Sequence, residues 1–155
     1  MPDDLSGPHL LAAFLCEKVL REPDGVFSFI RVVDRFIRPK PSAIPPGAQI
    51  LPIQVMLVAS FKTGGLPTGS YKVKVIIHKP DPAASPLLEQ EHEVFAEGGQ
   101  DHGFAVINPI IMNLDEEGLY WVDVLFETNM VTRIPFRVLL VSTPGMLPPP
   151  AQRGA

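Results

Sequence analysis

Polar and apolar residues alternate along several stretches of the chain. In the segment TGSYKVKVIIHK, the side chains of Tyr71, Val73 and Val75 share one face, whereas lysines share the other. A period of two is typical of a half-buried β-strand, because successive side chains of a strand point to opposite sides. The same pattern predicts two later strands, in the segments GLYWVDVLFE and MVTRIPFRVLLV.

Other apolar blocks, separated by turn-forming residues, also predict strands. They lie near residues 9–16, 26–37, 50–61, 91–97 and 103–112. Proline has no N–H to donate to a neighbouring strand. We therefore expect a bulge or bend at Pro109, and a bulge or a sheet edge at Pro135. The segment CEKVLREPD, residues 16–24, has a composition that is compatible with a short helix.

Eight short strands without a long amphipathic helix predict an all-β fold. The expected architecture is an antiparallel, immunoglobulin-like β-sandwich of about seven to eight strands, and a barrel is the alternative. The sequence EEGLY supports the immunoglobulin-like version, since it places Tyr120 just after an acidic turn and a glycine. A tyrosine at this point of such sandwiches bonds back to the preceding corner, an arrangement called the tyrosine corner.

Composition indicates one folded domain. The 155 residues are 46% hydrophobic, which is enough for one core. We expect a single domain over residues 9–141, between flexible ends at 1–8 and 142–155, the second of them rich in proline. The formal net charge of −4 argues against a nucleic-acid partner, because nucleic-acid-binding domains are usually strongly basic.

The cysteine count and the N-terminus bear on the compartment. The single Cys16 excludes an internal disulfide and a zinc site built on several thiolates. The apolar run from Leu10 to Cys16 is too short for a membrane span and follows no positively charged region. We therefore expect a cytoplasmic protein that has no membrane partner.

Four segments of the chain are characteristic when taken together: LLAAFLCEKVLREPDGVFSFIRVVDRF, an apolar strand near residues 50–61, SYKVKVIIHKPD and GLYWVDVLFETNMVTRIPFRVLL. They resemble a family of small bacterial β-sandwich proteins of unknown function. In that family a strand ends in a cysteine followed by an acidic residue, here Cys16 and Glu17, and the chain closes with a Gly-x-Tyr strand. The resemblance covers about residues 9–140 and implies a compact sandwich without an assigned activity. The proline-rich insertion at 39–47 departs from it.

The sequence predicts no catalytic residue, no metal site and no cofactor. Cys16 ends an apolar strand, so we expect a buried, unreactive thiol. The four histidines lack the spacing of a metal site, although His92 and His102 would approach each other if the strands near 91–97 and 103–111 paired. The acidic run at 115–117 is too short for a calcium site and indicates a solvated turn.

Apolar residues on both faces of a strand indicate a surface that something must cover. Met56 and Val58 lie opposite the inward set of their strand, and Trp121 lies opposite the face of Tyr120. We predict a non-enzymatic interaction or accessory module that binds a protein partner or itself, as a homodimer, through an apolar outer face around Met56, Val58 and Trp121. The alternative is a small-ligand or carbohydrate-binding sandwich that uses residues at one end, such as Asp101, His102 and Trp121.

Overall fold

Two β-sheets pack face to face in the computed structural model, which describes residues 6–142. One sheet has four strands in the order β2-β1-β4-β7, and the other has five in the order β3-β9-β8-β5-β6. The strands are β1 (His9–Arg21), β2 (Phe27–Val33), β3 (Arg35–Pro39), β4 (Ile53–Lys62), β5 (Gly69–His78), β6 (Leu88–Ala96), β7 (Gly103–Met112), β8 (Gly118–Phe126) and β9 (Asn129–Val141). A single 3-10 turn, Pro41–Ala43, follows β3.

The core lies between the sheets and is built from alternate residues of the strands. On β4 the inward side chains include Leu57 and Phe61, and on β8 they include Val122 and Val124. All four are buried. The predicted all-β sandwich is confirmed. One strand pair, β3 with β9, is parallel, so the five-stranded sheet is mixed rather than purely antiparallel.

The predicted tyrosine corner is also confirmed. The hydroxyl of Tyr120 donates a hydrogen bond of 2.9 Å to the backbone carbonyl of Glu116, and the Tyr120 ring stacks on Phe136 with centroids 5.1 Å apart. Gly118 starts the strand with φ +145°, and a Cβ built on it would lie 2.8 Å from the ring of Pro80. The Gly-x-Tyr pattern thus has a physical basis, because a larger residue at 118 would be strained and crowded.

The helix expected within residues 16–24 is wrong, since β1 continues as a strand to Arg21. The segment pairs with β2 as far as Arg21 opposite Phe27, and Gly25 closes the hairpin with φ +87°. The backbone hydrogen bonds of this hairpin, including Glu22 N–H to Val26 O at 2.8 Å, outweigh the weak helical preference of the segment.

The apolar block at 26–37 forms two strands rather than one, so residues 6–142 contain nine strands where the sequence predicts eight. It breaks at Asp34, where the chain leaves the four-stranded sheet and enters the five-stranded one. The carbonyl of Asp34 accepts a hydrogen bond of 2.9 Å from the N–H of Arg137, which starts the parallel pairing of β3 with β9.

The predictions for the two prolines within strands, Pro109 and Pro135, had different results. Of the bulge or bend expected at Pro109, the bulge is wrong, because β7 pairs with β4 in an unbroken register; β7 tolerates the proline as an edge strand. The parallel pairing of β3 with β9 begins only at Arg137. Pro135 comes two residues earlier and, among the described strands, pairs with β8 alone, so it lies at a local sheet edge as predicted. Residues 1–5 and 143–155, which hold most of the predicted flexible ends, lie outside the described residues.

Candidate functional site

A buried carboxylate, Asp123, lies on the outer face of the five-stranded sheet. Its neighbours Val122 and Val124 point into the core, so the Asp123 side chain points outward, yet only 3% of the residue is exposed. Arg133, directly opposite on β9, donates from Nε to Oδ1 at 2.6 Å and from Nη2 to Oδ2 at 2.8 Å. On the other side, His78 Nε2 of β5 lies 3.0 Å from Oδ2.

These contacts fix the charge of the carboxylate. The hydrogen bonds from Arg133 hold the pKa of Asp123 below its usual value, whereas burial of the carboxylate acts in the opposite direction. Asp123 is therefore ionised at neutral pH. Both of its oxygens are engaged, so it holds Arg133 and His78 in place rather than offering itself to a ligand.

Beside this cluster lies a groove of about 440 Å³, which we call the Trp121 groove. Its lining consists of His78, Lys79, Pro80, Pro82, Trp121 and Arg133. The guanidinium carbon of Arg133 lies 5.8 Å from the centre of the Trp121 ring, within range of a cation–π contact. Lys79 Nζ bonds to the carboxylate of Glu116 at 3.2 Å. Every lining side chain is therefore either basic or apolar.

The structure does not bring Met56, Val58 and Trp121 together, so the hypothesis of one apolar face formed by all three is wrong. Met56 and Val58 lie on β4 in the four-stranded sheet, whereas Trp121 lies on β8 in the other sheet. Val58 is also only 1% exposed. The reason is that strand alternation shows which residues point outward but does not show which sheet they belong to.

The residues of the alternative hypothesis are separated too. His102 Nδ1 bonds to Gly98 O at 2.8 Å, and Gly98 N–H donates to Thr68 Oγ1, next to the first residue of β5. Trp121 pairs with the last residue of β5, His78. The ten residues of β5 therefore separate the two places by about 30 Å at the usual rise of a strand.

The pairing that would have joined His92 to His102 does not form. Strand β6 pairs with β5, and β7 pairs with β4, so the two histidine-bearing segments belong to different sheets. Among residues 6–142, no three side chains of His, Cys, Asp or Glu gather in a way that could hold a metal ion. Cys16 is buried as expected, and burial raises the pKa of its thiol.

A second feature is the edge strand β2, which exposes an apolar surface together with the hairpin that leads into it. Six large apolar residues of this region are each between 38% and 61% exposed. We call them the β2 patch: Leu20, Val26, Phe27, Phe29, Ile30 and Val32. The charge of Arg31 is already paired with Glu17 of β1, at 3.3 Å. The patch therefore presents several exposed apolar side chains beside a free backbone edge.

The other three sheet edges carry features that discourage pairing with a second chain. Strand β6 alternates exposed glutamates, at 89, 91 and 93, along its outer side. Strand β7 contains Pro109, and β3 is only five residues long, contains two arginines and ends in Pro39. Charges, prolines and short strands are the usual means by which proteins protect sheet edges. Strand β2 contains no proline, and its one charge, Arg31, is paired with Glu17.

Comparisons with known proteins do not show a family. No family model and no curated protein sequence matches the chain. Among solved structures, the chain is similar to a β-glucosidase from Kluyveromyces marxianus, with 15% identity and a TM-score of 0.40 over 59% of this chain and 13% of that one. It is also similar to a GH3 β-glucosidase from Bifidobacterium adolescentis, with 11% identity and a TM-score of 0.38 over 70% of this chain and 17% of that one. The chain thus spans less than a fifth of either enzyme.

The described part of the chain, residues 6–142, contains no helix that is long and apolar enough to cross a membrane.

Proposed function

We propose that the chain is a non-enzymatic interaction module that associates with a second copy of itself through β2. Two copies would pair their β2 strands in antiparallel fashion about a two-fold axis. Each four-stranded sheet would then become half of a continuous eight-stranded sheet. The observation that carries this proposal is the row of exposed apolar side chains on β2, a strand without proline and with one charge, on a free edge of its sheet.

The backbone of β2 supplies the polar part of the interface. An edge strand presents a row of unpaired N–H and C=O groups, and an added strand satisfies them. In a dimer with a two-fold axis, the β2 edge of one copy faces the β2 edge of the other, so the same surface forms both halves of the interface. The strand carries one charge, Arg31, and its partner Glu17 belongs to the same chain. Antiparallel pairing therefore brings no unpaired like charges together.

The apolar part of the interface has an adequate size. The exposed parts of the β2 patch amount to roughly 500 Å² per copy, which sets an upper limit of about 1,000 Å² for the pair because Leu20 lies on β1, behind the edge. Small specific interfaces bury about 1,200 Å² in total. The backbone edge and the polar side chains around the patch supply the remainder.

The test is the mass of the purified full chain, measured by light scattering during size-exclusion chromatography over a series of concentrations. We expect a species of about twice the 17.0 kDa chain mass. Val32→Lys places a charge in the patch and should yield the monomer. Ile111→Lys is the matched control, because Ile111 has the same 61% exposure on the opposite edge of the same sheet.

Each result has a definite meaning. A dimer that Val32→Lys dissociates and Ile111→Lys preserves supports the proposal. A monomer at every concentration overturns it, as does a dimer that survives Val32→Lys. Dissociation by Ile111→Lys alone would assign the interface to β7 and would equally contradict the assignment to β2.

A further inference from the structure

We propose that the Trp121 groove binds a small organic acid, namely a carboxylate carried on an apolar or aromatic body. This site is separate from the β2 patch, because it lies on the outer face of the other sheet. The inference rests on three features: the basic groups that line the groove, the hydrogen bonds that already occupy both oxygens of Asp123, and the flat apolar walls.

The polar side chains of the groove offer hydrogen-bond donors to a ligand. Arg133 has five N–H groups, and Asp123 uses two of them, so three remain. His78 is engaged with Asp123 through Nε2, so the donors for a ligand come from Arg133 and Lys79. Lys79 Nζ uses one of its three N–H groups on Glu116, so two remain. A ligand group with several acceptor oxygens and a negative charge fits these donors.

The same arrangement disfavours a neutral sugar. Sugar hydroxyls donate as well as accept, so sites for neutral sugars need free acceptors. The acid nearest the groove, Asp123, is 3% exposed and already accepts from both Arg133 and His78. Glu116, the acid that contacts Lys79, is bonded to it. Both carboxylates are thus already used, whereas Arg133 and Lys79 retain free N–H donors, and these match a carboxylate.

The walls of the groove indicate what the carboxylate is attached to. Trp121, Pro80 and Pro82 present flat apolar surfaces beside the basic groups. Rings pack favourably on such surfaces, whereas an inorganic anion leaves them in contact with water. The volume of about 440 Å³ lies within the usual range for small-molecule sites. The occupant is thus expected to carry a ring or another apolar body next to its charge.

The experiment uses benzoate as the probe and the indole of Trp121 as the reporter. Because the chain contains one tryptophan, the amide correlation spectrum has one indole N–H resonance, and it lies in the groove. We expect benzoate to shift this resonance with a Kd on the order of 1 mM, given the small size of the ligand. Benzamide has the same ring without the charge, and inorganic phosphate has charge without a ring. Both should bind at least about tenfold more weakly.

Two variants test the basic groups. Lys79→Gln should weaken benzoate binding by about two- to fivefold, because it removes one partly exposed charge and leaves Glu116 without its partner; Lys62→Gln is the control at the other end of the sandwich. Arg133→Lys keeps a positive charge next to Asp123 but removes the guanidinium fork, and should weaken binding about tenfold. Its thermal midpoint is measured alongside; if this variant does not fold, the lysine pair decides.

The proposal fails if benzoate leaves the indole resonance unmoved. It also fails if benzamide or phosphate binds as tightly as benzoate, since the ligand would then need no charge or no ring. Equal effects of Lys79→Gln and Lys62→Gln would place the binding outside the groove. Preferential binding of benzoate, together with a loss specific to Lys79→Gln, supports the proposal.

Discussion

The hydroxyl of Tyr120 offers the sharpest test of how the corner before β8 is held. Tyr120→Phe removes one oxygen and keeps the ring, which is fully buried and stacked on Phe136. The hydrogen bond to the Glu116 carbonyl, 2.9 Å long, is lost. A hydrogen bond of this kind contributes about 0.5 to 1.5 kcal/mol net to stability. This hydrogen bond is partly buried, so water replaces it only in part.

We therefore expect Tyr120→Phe to lower the free energy of unfolding by about 1 kcal/mol, a decrease of roughly 3 to 5 °C in the midpoint for a domain of this size. The measurement is urea unfolding followed by the fluorescence of Trp121, with thermal unfolding by circular dichroism as a second readout. The slope of the urea transition should stay unchanged, because the substitution alters no large surface.

The chain supplies its own control. Tyr71, the other tyrosine, also donates to a carbonyl four residues earlier, that of Pro67 at 2.7 Å, but this bond is exposed to solvent. Tyr71→Phe should therefore cost less than about 0.5 kcal/mol, since water replaces the lost partner. If Tyr71→Phe destabilises the protein as much as Tyr120→Phe, the corner has no special role and the reasoning is refuted.

Further substitutions test other parts of the structure. Asp123→Asn should destabilise the protein by about 1 to 3 kcal/mol in urea unfolding at pH 7. Since the folded state lowers the pKa of Asp123, its contribution is complete above the unfolded value near 4 and is lost as the pH falls through the lower folded value, so the difference between wild type and variant should shrink in acid. Gly118→Ala should cost about 1 to 3 kcal/mol, because φ +145° and the contact with Pro80 both oppose a side chain; an unchanged midpoint would contradict this. Cys16 should react with a thiol reagent only after unfolding, and fast labelling of the native protein would contradict its burial.

Local pattern predicted the inner faces of the strands well. Val73, Val75, Val122 and Val124 all lie in the core, because alternation depends only on the residue next along the strand. Tyr120 was identified for the same reason, since its hydrogen-bond partner is only four residues away. Such features depend on residues that are close together in the sequence, so they can be predicted from a single sequence.

The features that could not be predicted depend on which strands become neighbours. Nothing in the block at 26–37 distinguishes its two halves except Asp34, yet they join different sheets. The site is a stronger case, since His78 and Asp123 lie 45 positions apart in the sequence. They meet because β5 pairs with β8, and the alternation of polar and apolar residues does not predict which strands pair. The one local signal was Asp123 itself, a lone acid in the middle of an otherwise apolar strand.

The two proposed surfaces use different parts of the sandwich and are compatible with each other. Pairing through β2 extends the four-stranded sheet at its outer edge, whereas the Trp121 groove lies on the outer face of the five-stranded sheet. The shared core stands between them, so association through β2 leaves the groove open to solvent. A dimer built in this way carries two grooves related by the two-fold axis. Each groove is complete within one chain, because all of its lining residues come from β5, β8, β9 and the segment after β5.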